Sequence, residues 1–196
     1  MARGRRRAAA GRRHRCRPRP DTTAVLPPKP TRGIDEIGVA GLCARLGVSK
    51  ETLYRHFGTK DGLVRAVLEV RSERVGARLV RAVESAGDDP AGQLVAVFDV
   101  LEEWYAQPAF RGCAMVNAAA QHYDGEVRAI TARHLHRYLD LFAGIAARAG
   151  AENPDVLGRQ LLMLVEGATV VAAMHGTAGV GRQPRAAAAA LLAAGT

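Results

Sequence analysis

Aromatic side chains are scarce: one Trp, four Tyr and four Phe make up 5% of 196 residues. A core cannot rest on large rings here, so Ala, Leu and Val must fill it, which favours closely packed helices. Cysteine is scarcer still. Cys16, Cys43 and Cys113 are widely spaced and form neither a CxxC pair nor a Cys/His zinc spacing. That excludes a disulfide scaffold and fits a reduced, cytoplasmic setting. No unbroken run of eighteen apolar residues occurs, so no membrane span is expected. The basic N-terminus lacks a continuous apolar stretch, so no secretory signal is expected either. Strand-like alternation of apolar and polar residues is absent. So are a phosphate-binding glycine loop, HExxH and a nucleophile elbow. No enzyme activity, cofactor or metal is therefore expected.

The formal charge of +9 has to be located before it means anything. Residues 1–32 alone carry a net +10. Arg, Ala, Gly and Pro dominate there, and Pro18, Pro20, Pro27, Pro28 and Pro30 forbid a long helix. This stretch reads as a disordered basic tail, solvated or acting as a DNA-binding arm. Residues 45–81 hold a net +5, and residues 82–196 a net −4. The informative signal is thus a local basic stretch beside a mildly acidic body.

From Gly33 onward the pattern is helical. Ile37, Leu42 and Leu46 recur at near-helical spacing, and Gly47 closes the first helix. Ser49 is placed to cap a second helix over Lys50–Phe57, which Gly58 stops. Thr59 opens a long helix to about Ser85. Asp89-Pro90 starts another, to about Tyr105. Further helices are expected at Phe110–His122, Glu126–Ala149, Asn153–His175 and Gln183–Ala194. The expectation is an all-α chain of about eight helices: a basic tail over 1–32, a DNA-binding head over 33–80 and a helical body over 81–196.

Two short helices about a three-residue turn containing Gly form a helix-turn-helix over roughly 37–57. With Val48 turned inward, the second helix can offer Lys50, Glu51, Thr52, Arg55 and His56 outward. Its N-terminal amides and dipole favour phosphate. Lys50 and Lys60 suit phosphate contacts; Thr52 and Tyr54 suit hydroxyl donation to phosphates or base edges. A bare Gly-Val-Ser turn equally fits an ordinary helical hairpin.

The full string from Val39 to Leu63, VAGLCARLGVSKETLYRHFGTKDGL, goes further. It resembles the N-terminal head of the TetR family of bacterial repressors, in Gly-Val-Ser, Leu-Tyr-x-His-Phe and Thr-Lys-x-x-Leu. The resemblance implies DNA binding, with Lys50, Thr52, Tyr54, His56 and Lys60 at matching positions; Val39, Ser49, Glu51 and Arg55 join them as candidate DNA contacts. Leu42-Cys43 departs from the usual Ile-Ala, and Gly38 stands where Thr often begins the first helix. A larger departure lies upstream. The family has an amphipathic helix before the position of Gly33, whereas this chain has Pro20–Arg32 with four prolines. Arg, Ala, Pro and Gly are also what GC-rich coding DNA yields when read from a displaced frame.

The body is similar to one TetR subgroup through Phe110–Ala120 and Leu161–Ala173. The resemblance implies a homodimer formed by the last two long helices, a palindromic double-stranded operator and a small-molecule effector that releases it. Ligand candidates are Phe98, Trp104, Tyr105, Met115, Asn117, Gln121, Tyr138, Met163 and Glu166. The helix over 154–175 is apolar nearly all round, wider than a monomer's outer face needs; a central core helix explains that equally. Two other function classes compete. His122, His134 and His136 with Glu126 or Asp140 could serve a small metal-dependent enzyme, although HxxxD alone is weak. A helical module could instead bind nucleic acid through its tail without sequence preference.

Overall fold

A computed structural model of the chain describes residues 39–121, 125–176 and 180–195. The basic tail, the region expected to carry the family's first helix, and His122 lie outside these residues. Every regular element among the described residues is a helix: α1 Val39–Leu46, α2 Lys50–Phe57, α3 Lys60–Ser85, α4 Pro90–Tyr105, α5 Ala114–Gln121, α6 Gly125–Arg148, α7 Pro154–His175 and α8 Arg182–Gly195.

The boundaries follow local chemistry. Asp89 accepts from the amides of Ala91 and Gly92, and Pro90 occupies the first position of α4. Gly47, Gly58, Gly87 and Gly150 follow the ends of α1, α2, α3 and α6 with positive φ. One boundary differs from expectation: α5 begins at Ala114 instead of Phe110. Gly112 sits at φ +86°, outside the helical region, and Asn117 Nδ2 holds the Arg111 carbonyl at 2.9 Å. Phe110 is thereby free to pack edge-on against Trp104 and Tyr105.

Among the described residues, buried side chains form three clusters. Cys43, Leu53, Leu63 and Val67, with Val39, Val48 and Phe57 against them, make a small head core. Val64, Leu68, Cys113, Met115, Ala118, Val127 and Ile130 join α3 to α5 and α6. The main core includes Leu79, Val97, Phe98, Tyr105, Phe142, Ile145, Leu161 and Ala188. Helix α3 contributes to all three. It passes the expected domain boundary near residue 80 unbroken, and Leu79 already belongs to the main core.

Helix α7 alone among the described residues is long and apolar enough to cross a membrane by length and composition. It spends one face on the main core through Leu157, Leu161, Val165, Ala168 and Ala172. Gly158 lets it approach α6 closely, since a Cβ there would stand 3.0 Å from the Ala143 nitrogen. The opposite side leaves Met163, Val170, Val171 and Met174 exposed.

Candidate DNA interface and body interior

The geometry of α2 is set by one apolar anchor and two caps. Leu53 is fully buried in the head core. Gly47, at φ +62°, turns the chain, and the Val48 amide donates to the Cys43 carbonyl at 3.1 Å. Val48 packs inward, as the turn requires. Ser49 Oγ accepts from the Thr52 amide at 3.1 Å and donates to Thr52 Oγ1 at 3.0 Å. At the far end the Gly58 amide donates to the Tyr54 carbonyl. Thr59 then caps α3 by accepting from the Gly62 amide at 2.9 Å.

Lys50, Glu51, Tyr54 and Arg55 stand exposed on α2, with Thr52 and His56 half-buried beside them. Lys60 is half-buried at the start of α3. Val39 is placed differently, packed against the head core. Ser49 is exposed, but its hydroxyl is committed to the cap. The face can therefore present a carboxylate, two cations and a phenol beside the positive end of a helix.

In the body, Phe98, Tyr105, Met115 and Tyr138 are buried and Trp104 and Glu166 half-buried. Asn117 and Gln121 are exposed, and Met163 is 69% exposed on the outer face of α7. The nine ligand candidates are thus not gathered into one pocket. Tyr105, Tyr138 and Glu166 do share a neighbourhood, and Cys113 belongs to it. Tyr105 Oη donates to the Val165 carbonyl at 3.4 Å and meets Thr169 Oγ1 at 3.2 Å. Burial pushes the Tyr105 phenol up to about 12, against the pull of Thr169, and raises Tyr138 further. Burial also raises Cys113, so its thiol stays protonated, and raises Glu166. No hydrogen bond or ion pair joins Glu166 to a described residue.

A second polar group was not legible from spacing. His134 Nδ1 lies 3.0 Å from Ser72 Oγ, to which Arg137 also donates at 2.5 Å. Burial, then Arg137 and Arg71, lower His134 to about 4, so the ring is neutral near pH 7. His134, Arg137, Tyr138 and Asp140 border a groove of about 530 Å³ between α3 and α6. The described residues weighed for an enzyme form no candidate metal cluster. His136 pairs with Asp140 at 3.5 Å on an exposed surface, and Glu126 pairs with Arg65.

Comparison with known proteins bears on the same regions. Residues 31–67 match the family described as bacterial regulatory proteins, tetR family. A transcriptional repressor of Escherichia coli, BdcR, is 33% identical over 109 residues, which cover 54% of this chain and 53% of that protein. The BetI transcriptional regulator of Stenotrophomonas maltophilia is 37% identical over 71 residues, covering 34% of this chain and 36% of that protein. The chain therefore spans about half or less of the length of these curated relatives. Among solved structures, a transcriptional regulator from Streptomyces coelicolor is 29% identical with a TM-score of 0.77, over 83% of this chain and 86% of that one. Another from Streptomyces avermitilis is 29% identical with a TM-score of 0.69, over 81% and 87%.

Proposed function

We propose that this chain is a member of the TetR family of bacterial regulatory proteins and a DNA-binding transcriptional repressor released from its operator by a small molecule. The observation that carries the reading is α2 itself. Leu53 and the Ser49 cap hold it rigidly, and Lys50, Glu51, Tyr54 and Arg55 are turned to solvent within the stretch that matches the family. A helix so presented fits the major groove, with its N-terminal turn near the phosphates.

The unit that acts is a homodimer, reading a palindromic site in the cytoplasm. Its support is the outer face of α7, where Met163, Val170, Val171 and Met174 are exposed around Gly167, beside which there is open space. A two-fold pairing of α7 and α8 with their copies buries that face and sets two heads on one duplex. The head spans 33–80 and the body 81–196, with α3 running through both. The effector is held in the body near Tyr105, Tyr138 and Glu166, where aromatic surface and one unpaired carboxylate meet.

Selection of duplexes bound by the full chain from a random pool tests the reading. A palindromic consensus, bound by two chains per duplex, is the expected result. Failure to enrich any sequence overturns it.

A further inference from the structure

Leu53 fixes the rotation of α2, because it is the helix's fully buried residue. At about 100° per residue, Glu51 and Arg55 fall about 160° and 200° from it, on the ridge farthest from the head core. Both are exposed. Lys50 and Tyr54 lie to one side of this ridge, Thr52 and His56 to the other. A side chain on the ridge reaches the floor of a groove, whereas those on its flanks meet the walls.

Glu51 and Arg55 are spaced i,i+4, where opposite charges ordinarily pair along a helix. Neither makes an ion pair or hydrogen bond with a described residue. The Thr52 hydroxyl, by contrast, is already held by Ser49. The helix dipole accommodates a carboxylate in the first turn, but phosphates repel it, so on the outermost ridge of α2 Glu51 is better matched to base edges than to the backbone. The base edge that welcomes it in the major groove is the cytosine N4 amino group; for Arg55 it is guanine O6 and N7.

Resting on the reading of the chain as a DNA-binding regulator, we infer that Glu51 and Arg55 are its base-reading pair. Glu51 accepts from cytosine N4, and Arg55 donates to guanine O6 and N7. Four residues of helix rise about 6 Å against about 3.4 Å per base pair, so each half-site carries two G·C pairs about two steps apart.

The test is selection from random duplexes with the full chain and with Glu51→Gln, Glu51→Ala and Arg55→Ala, each variant checked for an unchanged melting temperature. The wild type is expected to fix cytosine at one half-site position and guanine at another. Glu51→Gln is expected to convert the first to adenine, because Gln pairs with adenine N6 and N7, and to weaken the original site roughly tenfold. Glu51→Ala leaves that position open to any base, and Arg55→Ala does the same to the guanine. A palindrome whose G·C positions persist unchanged in all three variants overturns the inference and leaves the regulator reading standing. No enriched sequence with the wild type overturns both.

Discussion

Leu53 is buried with Cys43 of α1 and Leu63 and Val67 of α3, so it is the main anchor for the orientation of α2. Replacing it with Ala removes most of its apolar contact in a small core, of which four buried residues are described, and costs about 2–5 kcal/mol. The Leu53→Ala chain is expected to lose operator binding in a gel-shift assay. It should keep most of its helical circular dichroism, because the main core does not include this residue. His134 makes a prediction of a different kind. Its folded value near 4 lies below the ordinary 6.5, so the unfolded chain binds the extra proton first. Stability from this group is complete above pH 6.5 and falls as pH drops towards 4, by at most about 3 kcal/mol. Urea melts at pH 7.5, 5.5 and 4.5 check the sign. His134→Gln keeps an amide near Ser72 and should flatten that part of the profile; an equally steep fall in the variant assigns the loss to other groups.

At the scale of helices, α7 lies close against α6 at Gly158. Gly158→Val places branched carbons against the Ala143 backbone and should lower the stability of the body by about 1–3 kcal/mol, read as a lowered melting temperature. Helix ends were legible because their signals are local. Asp89-Pro90 and Gly150 act through their own backbone and immediate neighbours. The start of α5 was not, because the apolar spacing from Phe110 fits a helix and only the positive φ of Gly112 forbids it. Helix α7 shows another limit. Its apolar residues run nearly all round, so periodicity could not tell Leu161, which is buried, from Met163, which is exposed. The partnership of His134 with Ser72 spans 62 residues and leaves no trace in local spacing. The exposed face of α2 was legible in outline, since a cap, a turn and one anchor define it, whereas the packing of Val39 against the head core was not.

For the molecule as a whole, the exposed side of α7 is where the proposed assembly is tested. Met163 and Val170 lie seven residues apart on it, both more than half exposed. A double change to Asp would bury two charges at the proposed interface, each costing several kcal/mol. The expected outcome in analytical ultracentrifugation is a monomer where the unaltered chain is a dimer, with an unchanged circular dichroism spectrum. A dimer that persists at micromolar concentration places the interface elsewhere. Surface ion pairs such as Arg133–Glu69 and Arg185–Asp99 contribute little to this balance, because both partners are solvated.

The 26 residues of α3 reach from the head core to the main core as one rod, about 39 Å long. Tilting such a rod by about 5° at one end carries the other through about 3.4 Å, the height of a single base pair. On the proposed reading, a small adjustment around Leu79 and Val83, where α3 enters the main core, would be magnified into a mismatch of one full step on the duplex.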